Sequence, residues 1–427
     1  MSVTKRPVAW FTPVLFFLLA SCSPFVKDGQ PTTNASTLVL QSGETVGQTF
    51  TARDRGLNGV EVFLSPDATA QGEIRLHLRA DSQSTKDISI ATLAAQAVTA
   101  PGFYRFDFAP QSNSRGQDYF AAIELQGSGS LRVGTAPGDA YLDGALYQNG
   151  NPIDAQMTFR LVYDPIELLI GLAALMLTWL QVLAVAISLF VLPGWALLAV
   201  WLSGWGALSW GERLGLAIGL SVAIYPLLLL WPNLMGLHLG ALYAWLPIVF
   251  AILVLAWHNR AWRPGKIGAA WRAWRQSPLV WSDLALIGLI FLIIFTRFWV
   301  IRSIDVPMWG DSYQHTMITQ LIMDHGGLFD SWQPYTPYST LTVQFGFPTA
   351  AAVFSWLTGT SSVRGVLWVG QILNVLAIIV LYPLAVRIAR GNRWAGVGAV
   401  LIAGLLSQMP AFYVNWGRYA QLAGQAI

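Results

Sequence analysis

Between Ile166 and Trp257 the only acidic or basic side chains are Glu167, Glu212 and Arg213. A soluble fold has to clothe its surface in charge, and a stretch of this length has too little to do so. This half of the chain therefore belongs in lipid. Overall, 54% of the residues are hydrophobic and 11% are charged, against about 25% charged in soluble domains. The deficit is uneven, because residues 28–164 carry charges, glycines and turn residues throughout. The net charge of +3 is too small to call for nucleic acid. Its basic residues cluster beside apolar runs instead of along a groove, so they act as a topology signal.

The chain has one cysteine, Cys22, so the domain that follows it has no internal disulfide. Lys5 and Arg6 form a basic leader, Val8 to Leu19 an apolar core too short for a comfortable span, and Leu19-Ala20-Ser21-Cys22 follows. This resembles the bacterial lipobox, which implies cleavage before Cys22 and lipid on its sulfur. An uncleaved signal anchor with an incidental cysteine is the alternative. Either way residue 30 lies outside the cytoplasm of a bacterial cell, beyond its cytoplasmic (inner) membrane.

About eight short strand candidates fall between Thr37 and Tyr163, the clearest being Gly59–Ser65, Gly72–Ala80, Phe103–Phe108, Tyr119–Leu125 and Gln156–Tyr163. Alternation with a period of two, broken by Gly, Pro, Asn and Asp, predicts a β-sandwich of jelly-roll type over 31–164. In strand count and size it resembles galactose-binding-like and carbohydrate-binding modules. Tyr104, Tyr119, Tyr141 and Tyr147 are candidates for stacking on sugar rings, with core packing as the competing role.

Asp164-Pro165 closes this domain. Ile166–Leu192 is the first apolar run, broken at Pro193-Gly194 and continuing to Leu202; it reads as one crossing followed by a broken or interfacial helix. Further spans are Leu214–Trp231, Leu239–Trp257, Val280–Ile301, Val363–Val386 and Ala395–Tyr413. The spans themselves are almost free of ionisable groups. The stretch His258–Ser277 holds Arg260, Arg263, Lys266, Arg272 and Arg275 with no acid, which makes it cytoplasmic. Counting back puts the β domain outside, and counting forward puts Arg302 onward outside. The apolar run Phe345–Leu357 is read as a helix lying on the outer face, since a further crossing would move Arg387, Arg390 and Arg393 outside.

The expected fold is thus a multi-pass α-helical membrane protein with an N-terminal exported all-β, jelly-roll-like domain. Its segments are a signal peptide at 1–22, the sandwich at 31–164, four transmembrane helices over 166–301, an outer loop with surface helices at 302–362, and two transmembrane helices with an outer end over 363–427. The chain stops without a closing helix, which keeps a fragment of a longer protein among the readings.

The outer loop is where chemistry can reside. It holds Asp305, Asp311, Asp324 and Asp330 against the single Arg302, with His315 and His325. From Asp311 to His325 the sequence suits a helix. Asp311, Ser312, His315, Thr316 and Thr319 share one arc and Tyr313, Met317, Ile318 and Leu321 another. The polar arc is expected against water and the apolar arc against lipid. Gly310-Asp311-x-x-Gln314 equally suits a helix N-cap with a capping box, and Asp324 to Gly327 a helix end.

A span ending before an outer-loop Asp, then a surface helix, an aromatic and Pro-rich stretch, a short apolar helix and an Arg-flanked span resemble the GT-C membrane glycosyltransferases. These include protein O-mannosyltransferases, aminoarabinose transferases and oligosaccharyltransferases. Their first outer loop often carries Asp-Glu followed by His or Tyr. Here Asp311-Ser312-Tyr313-Gln314-His315 keeps the Asp and the His, with Ser for Glu. Trp332–Pro337 stands at the Pro-centred element without its His-Pro-Pro or Lys-Pro-Pro. The likeness spans roughly residues 280–420.

The resemblance implies that Asp311 is the general base on an acceptor hydroxyl, a role worth about two to four powers of ten in rate, with inversion at the anomeric carbon. The donor is a polyprenyl-phosphate-linked sugar and the acceptor a glycan, lipid or protein. Arg302, Arg364 and Arg418, outside by this topology, are candidates for the departing phosphate. Asp305 would second Asp311 or share a divalent cation with it, although no ligand spacing fixes a metal. His315 is a further catalytic candidate, with a surface or supporting role beside Asp311 favoured over carrying a proton. No nucleotide, zinc or nucleophile motif and no repeat occurs. A non-enzymatic, membrane-anchored glycan-binding or sensor protein is the alternative function, weakened by short cytoplasmic segments. A transporter is weakened by the scarcity of charge in the spans.

Overall fold

The computed structural model describes residues 28–32, 37–67, 70–201, 208–259, 280–302, 304–339 and 344–427. The leader with Cys22 and the basic stretch at 260–277 lie outside the described residues. The chain divides into two compact units, Met1–Met176 and Leu177–Ile427.

The first unit is all β. Its strands are β1 (Gly29–Gln30), β2 (Thr37–Gln41), β3 (Thr45–Ala52), β4 (Leu57–Ser65), β5 (Gln71–Arg79), β6 (Ser89–Ala94), β7 (Gly102–Gln111), β8 (Gln117–Ser128), β9 (Ser130–Pro137), β10 (Leu146–Gln148), β11 (Asn151–Ile153), β12 (Ala155–Met157) and β13 (Phe159–Tyr163). One sheet runs β1-β13-β4-β9-β12, with β2 on β9 and β7 on β4; the other runs β11-β10-β3-β8-β5-β6. Strands β3, β4, β5, β7, β8 and β9 fall in turn in the second and first sheets, while β5 and β6 are neighbours in the second. Both sheets feed one core, with Val60, Val62 and Leu64 from the first and Phe50, Ile74, Leu76, Leu78 and Ile123 from the second. On β5 the period of two buries Ile74, Leu76 and Leu78 completely and leaves Arg75, His77 and Arg79 on the other face. Each such burial contributes about 1.5–3 kcal/mol.

Two of the four tyrosines proposed to meet sugar rings are core residues. Tyr119 stacks on Phe50 and Tyr141 packs edge-on to Phe159, both under a tenth exposed. Tyr104 packs against the core and closes a local turn through its hydroxyl bond to the Ala100 carbonyl at 2.8 Å. Tyr147 is half-buried, edge-on to Phe120.

The sandwich hands over to helix at Asp164-Pro165. Asp164 Oδ1 accepts from the amides of Ile166 and Glu167 at 2.9 and 3.0 Å, and Pro165 takes the first helical position, where no amide is needed. Glu167 then pairs with Arg55 at 2.8 Å and accepts from the Ser112 hydroxyl.

The helices are α1 (Pro165–Phe190), α2 (Leu192–Trp201), α3 (Trp210–Asn233), α4 (Leu242–Asn259), α5 (Val280–Val300), α6 (Gly310–His325), α7 (Gly346–Thr358), α8 (Ser362–Ile379), α9 (Leu381–Ile388), α10 (Arg393–Leu401) running into a π-helical turn at Ile402–Leu406, and α11 (Tyr419–Ala426). Four helical stretches are long and apolar enough to cross a membrane: Pro165–Trp201, Trp210–Asn233, Trp281–Val300 and Ser362–Ile388. Of the two other expected spans, Leu242–His258 and Arg393–Leu406 are shorter apolar helices, and the last ends seven residues before the expected Tyr413. The break after α1 falls at Val191, and Pro193 and Gly194 lie in the first turn of α2. A β-carbon on Gly194 would come within 2.1 Å of the Ala217 carbonyl oxygen, so glycine is what lets α2 cross α3 this closely.

Two ion pairs gather helix ends. Arg387 meets Glu212 at 2.8 Å, and Arg393 meets Asp283 at 3.3 Å. Glu212 also closes a capping box with Ser209. The starts of α3 and α5 therefore share one side of the unit with the α9–α10 corner. α5 carries two ionisable groups, Asp283 and Arg297, as α3 carries Glu212 and Arg213.

The helix expected to lie on the outer face is enclosed instead. All nine residues from Phe347 to Ser355 in α7 are buried, so neighbours cover every side of it. Its run of Ala and Val is the composition of an interior helix. The α8–α9 stretch is the central one, with 72% of its apolar window buried against 28–39% for the other three.

Candidate functional site

The helix predicted from Asp311 to His325 forms as α6, one residue longer at its start. Its cap residue is Trp309, at φ 73° and ψ 158°, and no side chain caps the helix. Asp311 is the second helical residue, so the N-cap and capping-box role open to it is not the one it has. Its carboxylate stands exposed in the first turn, where the helix dipole favours negative charge. At the other end Gly326 takes φ 65°, and the Gly327 amide bonds the Ile322 carbonyl at 3.0 Å, the helix end expected there.

The two arcs of α6 do not divide into a water face and a lipid face. Of the polar arc, Asp311 is exposed while Ser312 and Thr319 are fully buried and His315 is largely so; of the apolar arc, Tyr313 is exposed while Ile318 and Leu321 are buried. The reason is what covers the polar arc, namely α7 and α11. The Ser312 hydroxyl is bonded to the Met308 carbonyl and lies 3.1 Å from the Tyr419 hydroxyl. Tyr419 stacks on Phe347 with centroids 4.5 Å apart. The His315 ring meets both edge-on, at 5.2 Å from Phe347 and 5.5 Å from Tyr419.

Burial pushes the His315 imidazole below its ordinary range, against the opposing pull of the Asp311 charge and the Gly417 backbone. His315 is therefore neutral at pH 7, and its buried Nδ1 has no hydrogen-bond partner among the described residues. One turn above it, the Gly417 backbone closes over Asp311 and Ser312. The result is an exposed carboxylate above a neutral imidazole, in an aromatic enclosure built from three separated segments. Burial also pushes the Tyr419 hydroxyl up, so it stays protonated.

The remaining candidates are more dispersed. Asp305 is exposed in the segment before α6. Arg302 lies over the Trp299 ring, 4.2 Å from its centroid, and donates to the Trp299 carbonyl. Arg364 is exposed in the first turn of α8, behind the Ser361 cap. Arg418 is exposed beside Gly417, which brings it closest in chain to the Asp311 contact. Among the described residues no group of three His, Cys, Asp or Glu could hold a metal ion, so the cation suggested for Asp305 and Asp311 gains no site. Cys22 lies outside the described residues. Trp332 is buried in a turn closed by its amide on the Tyr338 carbonyl at 2.9 Å.

The sequence reading missed Tyr419, Phe347 and Gly417, and also a polar network in the apolar helices. Arg297 donates to Asn374 Oδ1 and to the Gly404 carbonyl, both at 2.8 Å, and Asn374 donates to the Pro410 carbonyl at 2.7 Å. The signal was available, because a polar side chain inside an apolar span is rare and needs a partner. No protein-family model matches the sequence, and no curated protein matches it either.

Proposed function

We propose that this is a multi-pass membrane glycosyltransferase of the bacterial cytoplasmic membrane, with the β domain outside, moving a sugar from a polyprenyl-phosphate carrier to an extracytoplasmic acceptor. The observation that carries the reading is Asp311: exposed, released from any capping role, and seated over a neutral His315. The orientation is supported by the ion pairs, which hold Arg387 and Arg393 on the side where α3 and α5 begin. That is the side the basic stretch before α5 would occupy. The α6 site then lies at the opposite, outer end.

In this mechanism the Asp311 carboxylate accepts the proton of the acceptor hydroxyl as its oxygen attacks the anomeric carbon. The bond from that carbon to the carrier phosphate breaks with its electron pair leaving on the phosphate, and the configuration inverts. Arg418, next to Gly417, is the cation best placed in the chain to meet the charge that develops. A neutral His315 offers a hydrogen bond without competing with Asp311 as a cation.

The test is complementation of a deletion strain with wild type or Asp311→Asn at matched membrane levels, read by surface glycan and lipid-linked sugar composition. Loss of one sugar, or build-up of a lipid-linked one, that Asp311→Asn does not reverse supports the transferase and identifies its substrate. Full rescue by Asp311→Asn removes it and favours a glycan-binding or sensor protein.

A further inference from the structure

We propose that residues 306–313 and 409–416 form a collar that inserts into the phospholipid headgroup layer and fixes the depth of the Asp311 site. The proposal rests on the reading that the apolar helices cross a bilayer.

Two sets of large side chains are left uncovered there. Trp309 is 69% exposed and Tyr313 72%, with Val306 and Met308 beside them also more than half exposed. Trp309 immediately precedes α6 and Tyr313 lies in its first turns, while His315 lies on the face packed against Phe347 and Tyr419. The second set is Met409, Phe412 and Trp416, each more than a third exposed, with Phe412 and Trp416 edge-on at 5.0 Å. Each set follows an apolar helix, α5 in one case and α10 with its π turn in the other. The two segments that carry them touch where Gly417 rests on Asp311 and Ser312.

Three features choose lipid as the occupant. The collar follows α5, with its outward-facing apolar side chains such as Phe291 and Val300, within a few residues of chain. An exposed arginine flanks each set, Arg302 and Arg418, matching the phosphates of a headgroup layer. Trp and Tyr, apolar with one polar edge, are the residues that settle at that depth. The backbone adds a fourth. Trp309 occupies a region that glycine alone visits easily. Contact of the indole with lipid would offset that strain, whereas an indole left in water would not. Asp305, exposed just before the first set, stays on the aqueous side. The carboxylate of Asp311 is then held at headgroup level, where a lipid-linked phosphate and a soluble acceptor can meet.

The full chain in nanodiscs of phosphatidylethanolamine and phosphatidylglycerol, spin-labelled at single added cysteines, tests this. Wild type, with Cys22 alone, supplies the background. Trp309→Cys, Tyr313→Cys and Phe412→Cys should show an oxygen-to-nickel-chelate accessibility ratio at least about threefold above Lys86→Cys in the β domain, as expected for groups at the acyl boundary. Ratios equal to that of Lys86→Cys overturn the collar. Phe291→Cys separates the two failures: a high ratio there with low ratios at the collar rejects the collar alone, and a low ratio there rejects the spanning reading as well. The Asp311→Asn complementation is independent of both.

Discussion

The backbone of Gly417 rests on the first turn of α6: a β-carbon there would lie 2.8 Å from the Asp311 β-carbon and 2.8 Å from the Ser312 amide nitrogen. Its φ of +68° is one that glycine adopts without strain. Residues more than a hundred apart in sequence thus fix one another, and the loop before α11 determines where the carboxylate stands.

Gly417→Ala should accordingly displace the start of α6. The strained φ and the clash together cost about 1–3 kcal/mol, read as a lower unfolding temperature in detergent. In the complementation assay it should behave like Asp311→Asn although the carboxylate is intact. Full rescue by Gly417→Ala, with unchanged thermal stability, would show that this contact positions nothing.

His315 gives a pH dependence whose sign follows from its surroundings. Burial holds its folded-state value below the ordinary 6.5, so the unfolded chain takes up the proton first as the pH falls. Stability is then fully present above about 6.5 and declines as the pH drops from there toward the folded value. Replacing the titrating ring by His315→Gln should flatten unfolding temperature against pH in that window. An equal slope in wild type and variant would show that the ring is not held neutral.

What could be read from the sequence was what depends on local pattern. β5 was recognisable because Ile74, Leu76 and Leu78 alternate with charged residues, and α6 because Gly326-Gly327 ends it. The apolar runs marked six spans, of which four are helices of spanning length and two are shorter. The orientation of the α6 arcs was not legible, because it depends on Phe347 and Tyr419 arriving from α7 and α11. Nor was the enclosure of α7, for a short apolar helix reads alike on a membrane surface and inside a bundle. Tyr119 and Tyr141 illustrate the same limit: a strand tyrosine shows its face only once the register is known.

The Arg297 network makes a prediction about the π turn. Asn374 is fully buried and joins Arg297 to the Pro410 carbonyl. Asn374→Leu removes both bonds and leaves a guanidinium and a carbonyl short of partners in an apolar setting, at a cost of about 2–4 kcal/mol. Because Pro410 begins the loop that reaches Gly417, hydrogen exchange should rise across 407–418 before it rises in α8. Exchange increasing uniformly through both segments would mean the network holds the whole bundle and not this loop.

Trp309 allows strain and lipid contact to be separated. Trp309→Gly relieves the backbone at φ 73° and removes the indole. In detergent, away from a bilayer, relief should dominate, raising stability by roughly 1 kcal/mol after the extra entropy of an unfolded glycine is deducted. In nanodiscs the same substitution gives up the interfacial contact, so the gain should shrink or reverse. The measurement is the difference in unfolding temperature between variant and wild type in the two environments. Equal gains in both would place the indole in water and leave its strained backbone without an interfacial role.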